Sequence, residues 1–580
     1  AEAVALDERD EYPAAACARL DAWGLPEFYV PEQWGGRLRS FEQLVALLRV
    51  TSRRDFTVGF AYSILSLLGS AATWAGGSEQ QRRKVAQLLK EKKQIILAYN
   101  ERAHGSDFLS TDLRAAKVDG GYLLSGEKWL IGNAVRCVAL TTVARTRDEG
   151  GPRGFSLFLV EKSALDPGSF RHLDRIKTLG VRGAHVSGIK FENCFVPDEA
   201  RIGGEGTALE QTLKAFQMTR ALIPALSLGA ADTALRCAFD FARARRLSGS
   251  SVWEMPRPRR TLVECFVDLL IADSLTAACA RALHQTPEQM RLYSAAVKYF
   301  VTSEVEGLVE RAAEVLGARH YLREGHWHGL FQKVLRDQMV VRYHFNSALT
   351  LTTVGVHLRD LARERARRDG TPDPEMEARL EAIFDLRAPL RPLDPTAFSL
   401  YERGRDDILH GLDSALATLR RRALDAATER RPLLDLLARQ VKRLVARRDE
   451  ADAAQRKVEQ ALGADYGRSP AMFRQAEDYC RLLAAASCLH LWLHSGETLG
   501  GFVAEGEWLV LALARLGGEG WAGLPVETER RAGEELERLF VEGRLFSLVP
   551  LQLARSNARG IESEGQSELA GEGLTAVGVG

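Results

Sequence analysis

Only 12 of the 580 residues are histidine, and three groupings of them could do chemistry. His320 and His326-Trp-His328 share one short stretch and could approach a metal ion. Glu324 is the only carboxylate at a suitable spacing there and no Cys joins it, so no metal site is expected. His490 and His494 stand one helical turn apart, but Leu489, Leu491, Trp492 and Leu493 around them read as a buried helix. His344 stands alone. An imidazole can act as a general base near neutral pH, and a packing or capping role competes with that reading. Glu324 is a second acid–base candidate, against the ordinary reading of an exposed surface carboxylate.

Composition limits the partners. Lys plus Arg number 78 and Asp plus Glu 77, a net charge of +1, which gives no sign of nucleic acid or a membrane surface. Hydrophobic and charged residues make up 46% and 27%, values of a globular chain, and the length implies several domains. The eight Cys are scattered without a CxxC pair, which fits reduced thiols and a cytoplasmic protein. No secretory leader and no long uncharged apolar run stands out. Abundant Ala, Leu and Arg with little Lys suggest a GC-rich bacterial source.

These candidates need elements to hold them. Residues 1–97 read as helical, with apolar stripes at Leu44–Leu48 and Leu65–Leu68. Residues 98–205 switch to short β-rich segments punctuated by Gly and Pro, which predicts a central antiparallel β-barrel or sandwich. No GxGxxG follows a strand, so a Rossmann site is not expected. Residues 206–365 return to a helical period, with Val297, Phe300, Val301, Val305, Leu308, Ala312 and Val315 on one face, and predict a four-helix-bundle-like domain. Residues 366–396 read as a linker, 397–550 as a C-terminal helical extension and 551–580 as a flexible tail. The fold class is mainly α with a central β domain.

Five segments, in order, resemble acyl-CoA dehydrogenases. Asn100-Glu-Arg-Ala-His-Gly-Ser-Asp107 is similar to the first signature of that superfamily. Leu123-Leu-Ser-Gly-Glu-Lys-Trp-Leu-Ile-Gly-Asn133 resembles its flavin-facing strand. Lys177-Thr-Leu-Gly-Val-Arg-Gly-Ala-His185, with Ile189–Pro197, resembles the substrate-side segment. Phe216-Gln-Met-Thr-Arg220 opens a helical stretch ending at Phe241–Gly249. Glu314-Val-Leu-Gly317 with Lys333-Val-Leu-Arg-Asp337 resembles the second signature, with about four extra residues between its halves. Beyond residue 365 no residue-level match is found, although acyl-CoA oxidases carry a comparable extra helical domain.

The resemblance implies FAD, held by Asn100, Ser106, Trp129, Leu130, Gly132, Arg245, Glu314 and Gly317, and a substrate cleft at Thr219 and Arg220. It implies an acyl-CoA or acyl carrier protein substrate and a homodimer or homotetramer. The implied reaction is α,β-dehydrogenation of an acyl thioester, in which a carboxylate removes the α-proton. Here the two positions where relatives carry that carboxylate hold Phe345, or His344 with a one-residue shift, and Thr219. His344 is therefore the leading base and Glu324 the second. The flavin shell departs as well: Leu130 stands where the family has Trp, with Trp129 one place earlier. Gly132 replaces a Thr, Asn100 a Thr, Glu314 a Gln and Ala318 a Gly. Two alternatives follow: a flavin-dependent hydroxylase of the same fold, or a non-catalytic relative that binds acyl thioesters.

Overall fold

The computed structural model describes residues 2–105, 107–149, 151–343, 347–368, 373–401 and 403–553. Five helices of seven or more residues open the chain, ending with Phe41–Arg54, Phe56–Gly76 and Glu79–Lys90. Ser40 caps Phe41–Arg54 by accepting the Gln43 N–H. Ser78 and Gln81 form a reciprocal box at the start of Glu79–Lys90. The Gln81 amide also donates to the carbonyls of Glu199 and Arg201, at 2.8 and 3.0 Å, fastening this helix to the far end of the sheet.

The β module holds β1 (Ile95–Ala98), β2 (Arg114–Val118), β3 (Gly121–Gly132), β4 (Ala139–Arg145), β5 (Phe155–Glu161), β6 (Phe170–His172), β7 (Val186–Pro197) and β8 (Arg201–Ile202). They form one open eight-stranded sheet in the order β6-β7-β3-β2-β4-β5-β8, with β1 on β4. The expected antiparallel pairing holds for most of it. β1 and the tip of β2 run parallel to β4, so the sheet is mixed, and it does not close into a barrel.

The helix Phe56–Gly76 crosses β1 and β4 at contact distance. A Cβ on Gly69 would lie 2.5 Å from the Ile95 carbonyl, and the Thr141 hydroxyl donates to the Gly69 carbonyl at 2.6 Å. Its stretch Gly59–Ile64 is a π turn. Asn133, just past β3, donates its amide to the Ala61 carbonyl of that turn at 2.5 Å.

Four helices, Ala208–Leu222, Pro224–Ala244, Pro256–Gln285 and Met290–Leu316, form the bundle. Two stretches, Phe56–Gly76 and Ala208–Ala244, are long and apolar enough to cross a membrane by length and composition. Both windows are wholly buried in the fold, as core helices apolar on all sides are.

The extension packs on the bundle through Pro374–Phe384, Pro470–Leu499, Glu507–Gly517 and Val526–Val541. Within 366–396, read as a linker, Pro374–Phe384 forms a helix capped by Asp373 that buries Met376, Leu380, Ile383 and Phe384. Leu433, Leu437, Val441 and Leu444 form a stripe on the helix Arg431–Leu462. The chain then returns to the first helices. Arg49 donates to Asp273 and to the Phe546 carbonyl, both at 2.6 Å, and Asp232 accepts from Arg53, Arg236 and the Phe546 N–H. Residues 554–580, which cover nearly all of the expected tail, lie outside the described residues.

One buried ion pair fixes β3. Lys128 has no exposed side-chain surface and donates to Glu101 at 2.8 Å and to the Tyr99 carbonyl at 3.1 Å. Glu101 also accepts the N–H groups of Asp112 and Leu113 at 2.7 and 3.1 Å. Removing one partner leaves the other charge buried. Lys128→Met is expected to lower unfolding stability by about 3–5 kcal/mol, read by chemical denaturation; a loss under about 1 kcal/mol would show the pair to be dispensable.

Candidate functional site

β3 presents its end through two irregularities. Its pairing with β7 shifts between Leu124 and Gly126 and again between Trp129 and Ile131. Leu130 is the extra residue of the second bulge, with φ +59° and 42% exposure. The bulge keeps both Lys128 and Ile131 buried and leaves Trp129 half-buried and Leu130 outside. The Trp129 N–H donates to the Asn100 carbonyl at 2.9 Å, so the first and second motifs meet. The Arg102 guanidinium lies 4.9 Å from the Trp129 ring centre. A side chain on Gly132 would begin 3.3 Å from Leu65 on the π-turn helix.

From here a chain of rings leads into the bundle. Tyr99, next to Asn100, is buried and accepts from the Thr212 hydroxyl at 3.3 Å. Its ring centre stands 6.3 Å from that of Phe216, and the Arg220 guanidinium covers Phe216 at 5.3 Å. Phe216 and Arg220 are one turn apart on Ala208–Leu222, so Arg220 folds back toward the Tyr99 side. Arg220 is buried, and its Nε and Nη2 have no hydrogen-bond partner among the described residues. Burial pulls its pKa down to about 10. Lys298 of the neighbouring helix Met290–Leu316 is also buried and donates to the Arg342 carbonyl at 3.2 Å. Burial first, then Arg220 and Arg342, lower the Lys298 ammonium to about 7.

The third and fifth motifs also meet. A Cβ on Gly180 would lie 2.5 Å from the Arg336 carbonyl, and Asp337 accepts the Val181 N–H at 2.6 Å. Lys333 joins Asp337 at 2.5 Å to Asp55 at 3.1 Å, the cap of Phe56–Gly76. This buried network leads into the helix Met339–Tyr343. His344 and Phe345, the positions matched to the usual base, lie outside the described residues, as does Ser106. Thr219 is buried, and its hydroxyl donates to the Phe216 carbonyl within its own helix.

Other candidates sit elsewhere. Glu314 and Gly317 are exposed at the end of Met290–Leu316, about 24 and about 28 Å along the helix from Lys298 at roughly 1.5 Å per residue. Gly317 ends that helix with φ +58°. Glu324 is exposed on the loop beyond them, so the structure does not bring it to the Arg220 cleft. Arg245 is half-buried after Pro224–Ala244, and its side chain makes no hydrogen bond or ion pair among the described residues. His326 contacts the Cys237 carbonyl at 2.9 Å and His320 the Gly317 carbonyl at 2.6 Å, which are structural uses. His490 is buried on the Ile408 carbonyl at 3.0 Å, with His494 beside it.

Sequence reasoning missed Lys298, Lys128 and Gln217. Gln217, one turn before Arg220, donates to the Ser399 carbonyl at 2.6 Å and so ties the extension to this helix. It also missed Glu101, His104 and Asp112, whose ligand atoms lie within 4.8 Å of one another. Glu101 is already engaged by Lys128 and two backbone N–H groups.

Residues 1–91, 97–194 and 206–343 match the models of the N-terminal, middle and C-terminal domains of acyl-CoA dehydrogenases. A mitochondrial isovaleryl-CoA dehydrogenase of Oryza sativa subsp. japonica is 27% identical over 325 residues, 56% of this chain and 78% of its own. The probable acyl-CoA dehydrogenase FadE25 of Mycobacterium tuberculosis (strain ATCC 25618 / H37Rv) is 28% identical over 322 residues, 55% of this chain and 81% of its own. Among solved structures, butyryl-CoA dehydrogenase of Megasphaera elsdenii covers 61% of this chain and 92% of its own, with TM-score 0.58 and 20% identity. An acyl-CoA dehydrogenase of Bacillus anthracis complexed with FAD covers 97% of this chain and 86% of its own, with TM-score 0.66 and 16% identity. The extension, unmatched by residue motifs, thus has a counterpart in fold.

Lys298 provides a pH test. Its ordinary value is 10.5 and its folded value about 7, so between these the unfolded chain binds more protons. The penalty of burying this charge is full below pH 7 and is relieved as pH rises. Lys298→Met is expected to melt above the wild type at pH 6, with the gap shrinking toward pH 9. A gap independent of pH would place the Lys298 charge elsewhere.

Proposed function

From the premise that this chain belongs to the acyl-CoA dehydrogenase family, as its three matched domains show, we propose that it is an FAD-dependent oxidoreductase acting on an acyl thioester by α,β-dehydrogenation. The observation that carries the reading is the convergence of Asn100, Trp129 and Gly132 with Phe216 and Arg220 through the Tyr99 ring.

A flavin ring fits this set. Trp129 offers a half-exposed aromatic face, and Gly132 has no side chain to crowd it beside Leu65. Asn100 and the backbone N–H of Gly132 can donate to ring heteroatoms. Arg245, without a partner, can take a phosphate. Glu314 does not suit a phosphate and is better read as a surface carboxylate. When bound, FAD accepts the hydride equivalent from the β-carbon. The chain's own part is to exclude water, orient the acyl group beside Trp129 and remove the α-proton.

Phe345 and Thr219 cannot remove that proton, so the assignment falls to His344. A homo-oligomer in the cytoplasm, taking its acyl group on coenzyme A or on a carrier protein, completes the proposal. Carrier-protein use draws support from a solved relative titled a prolyl acyl carrier protein oxidase, which covers 62% of this chain with TM-score 0.55 and 20% identity. The lack of a carboxylate at both positions favours a second reading, flavin-dependent hydroxylation on the same scaffold.

An anaerobic titration of the flavin-loaded protein separates the two. Dehydrogenation predicts bleaching of the flavin by acyl thioesters alone. Hydroxylation predicts a flavin that stays oxidised with thioesters, is reduced by a nicotinamide donor and then consumes oxygen. Within the first reading, His344→Ala should lower turnover by about 10²-fold or more; unchanged turnover removes it as base.

A further inference from the structure

The cleft beside Trp129 has an outer and an inner end. Toward solvent it is flanked by Leu130 and by Arg102, both exposed, the latter lying over the Trp129 ring. Away from solvent it meets Tyr99 and Phe216, both buried, with ring centres 6.3 Å apart and planes tilted by 44°. An apolar acyl tail gains affinity by leaving water. A chain whose thioester lies beside Trp129 therefore points its tail at these two rings.

The Tyr99 ring is a fixed stop. Three consecutive carbonyls hold the backbone beneath it. That of Ala98 accepts from the Thr142 hydroxyl at 2.7 Å, that of Tyr99 from Lys128 at 3.1 Å, and that of Asn100 from the Trp129 N–H at 2.9 Å. At the far end of the ring, the Thr212 hydroxyl donates to the Tyr99 hydroxyl at 3.3 Å. Swinging the ring aside would leave this buried bond unmade. Next to Thr212 the helices Phe56–Gly76 and Ala208–Leu222 close on each other, because a Cβ on Gly76 would run into the Gln211 side chain. An acid–base role does not suit the phenol. Burial pushes its pKa well above the ordinary value, which leaves a neutral hydroxyl near neutral pH. What Tyr99 brings to the cleft is bulk.

We propose that Tyr99, backed by Phe216, is the specificity-determining residue that ends the acyl pocket, so that this protein takes short acyl groups. The inference rests on reading the cleft as an acyl-thioester site. It goes further, because it sets the length of chain that fits.

The test compares butyryl-pantetheine with octanoyl-pantetheine, which differ in methylenes alone and carry the thioester arm that coenzyme A and carrier proteins share. Affinities for the full-length, flavin-loaded protein are measured anaerobically by calorimetry. Each methylene that finds an apolar pocket adds about 4-fold to affinity. In the wild type the octanoyl compound should bind no tighter than the butyryl compound, its extra methylenes finding no pocket. In Tyr99→Ala it should bind about 10-fold tighter or more. Tyr99→Leu, which fills more of the space and serves if the alanine variant does not fold, should shift the preference the same way by a smaller factor. Tyr99→Phe keeps the ring and should keep the wild-type order, which separates bulk from the hydroxyl. An octanoyl compound that binds about 10-fold tighter in the wild type overturns the proposal. So does an unchanged order in the folded alanine and leucine variants, or a reversed order in Tyr99→Phe. In those cases thioesters still bind, and the pocket limit falls alone. If neither compound binds any form of the protein, the acyl-thioester reading falls and the pocket limit with it.

Discussion

The buried Lys128–Glu101 pair holds the rest of the site in register. Glu101 follows directly on Tyr99 and Asn100, and Lys128 directly precedes Trp129. Their bond at 2.8 Å, with Lys128 also on the Tyr99 carbonyl, clamps the exit of β1 to the middle of β3. Glu101 further pins the entry to β2 through Asp112 and Leu113. The pair thus sets where Asn100 and Trp129 meet, and which way Tyr99 turns to reach Phe216. Such a pair adds little net stability against an apolar equivalent, but loss of either member strands a charge. Its value lies in specifying one arrangement of the strand that faces the cleft.

Around that clamp, three further contacts close the cleft from separate directions. Asn133 seizes the π turn of Phe56–Gly76 and brings Leu65 over Gly132. Lys333 and Asp337 bind the substrate-side loop to the helix that leads toward His344. The extension reaches in with Ser399, which accepts from Gln217 one turn before Arg220. Each is a polar bond inside the fold, where low dielectric makes a satisfied partner strong and a missing one costly. Against that background, the unpaired head of Arg220 is a departure from the way this chain treats its buried charges.

Much of this was legible in the sequence because it is local. The five motifs announce which segments belong together, and the structure joins Asn100 to Trp129 and Gly180 to Arg336 accordingly. The helical faces of Met290–Leu316 and Arg431–Leu462 follow from period alone. Other features had no local signal. The bulge at Leu130 puts a leucine at positive φ, a conformation that side chain does not advertise. The parallel pairing of β1 with β4 depends on partners some forty residues apart, close to the limit of any pattern argument. The helix Pro374–Phe384 was hidden by the Pro- and charge-rich stretch around it, and is stabilised by tertiary burial of Met376 and Leu380. Lys298 looks like one basic residue on an amphipathic helix; only the packing shows that it is buried.

The proposed chemistry requires a flavin lying against the strand end that Lys128 and Glu101 position. The most direct measurement is the visible absorption spectrum of the purified full-length chain, taken as isolated and again after incubation with FAD and removal of the free cofactor. The absorption bands of a bound flavin are expected in at least the second spectrum, with the stoichiometry of one FAD per chain. A chain that shows no flavin bands in either spectrum would contradict that chemistry.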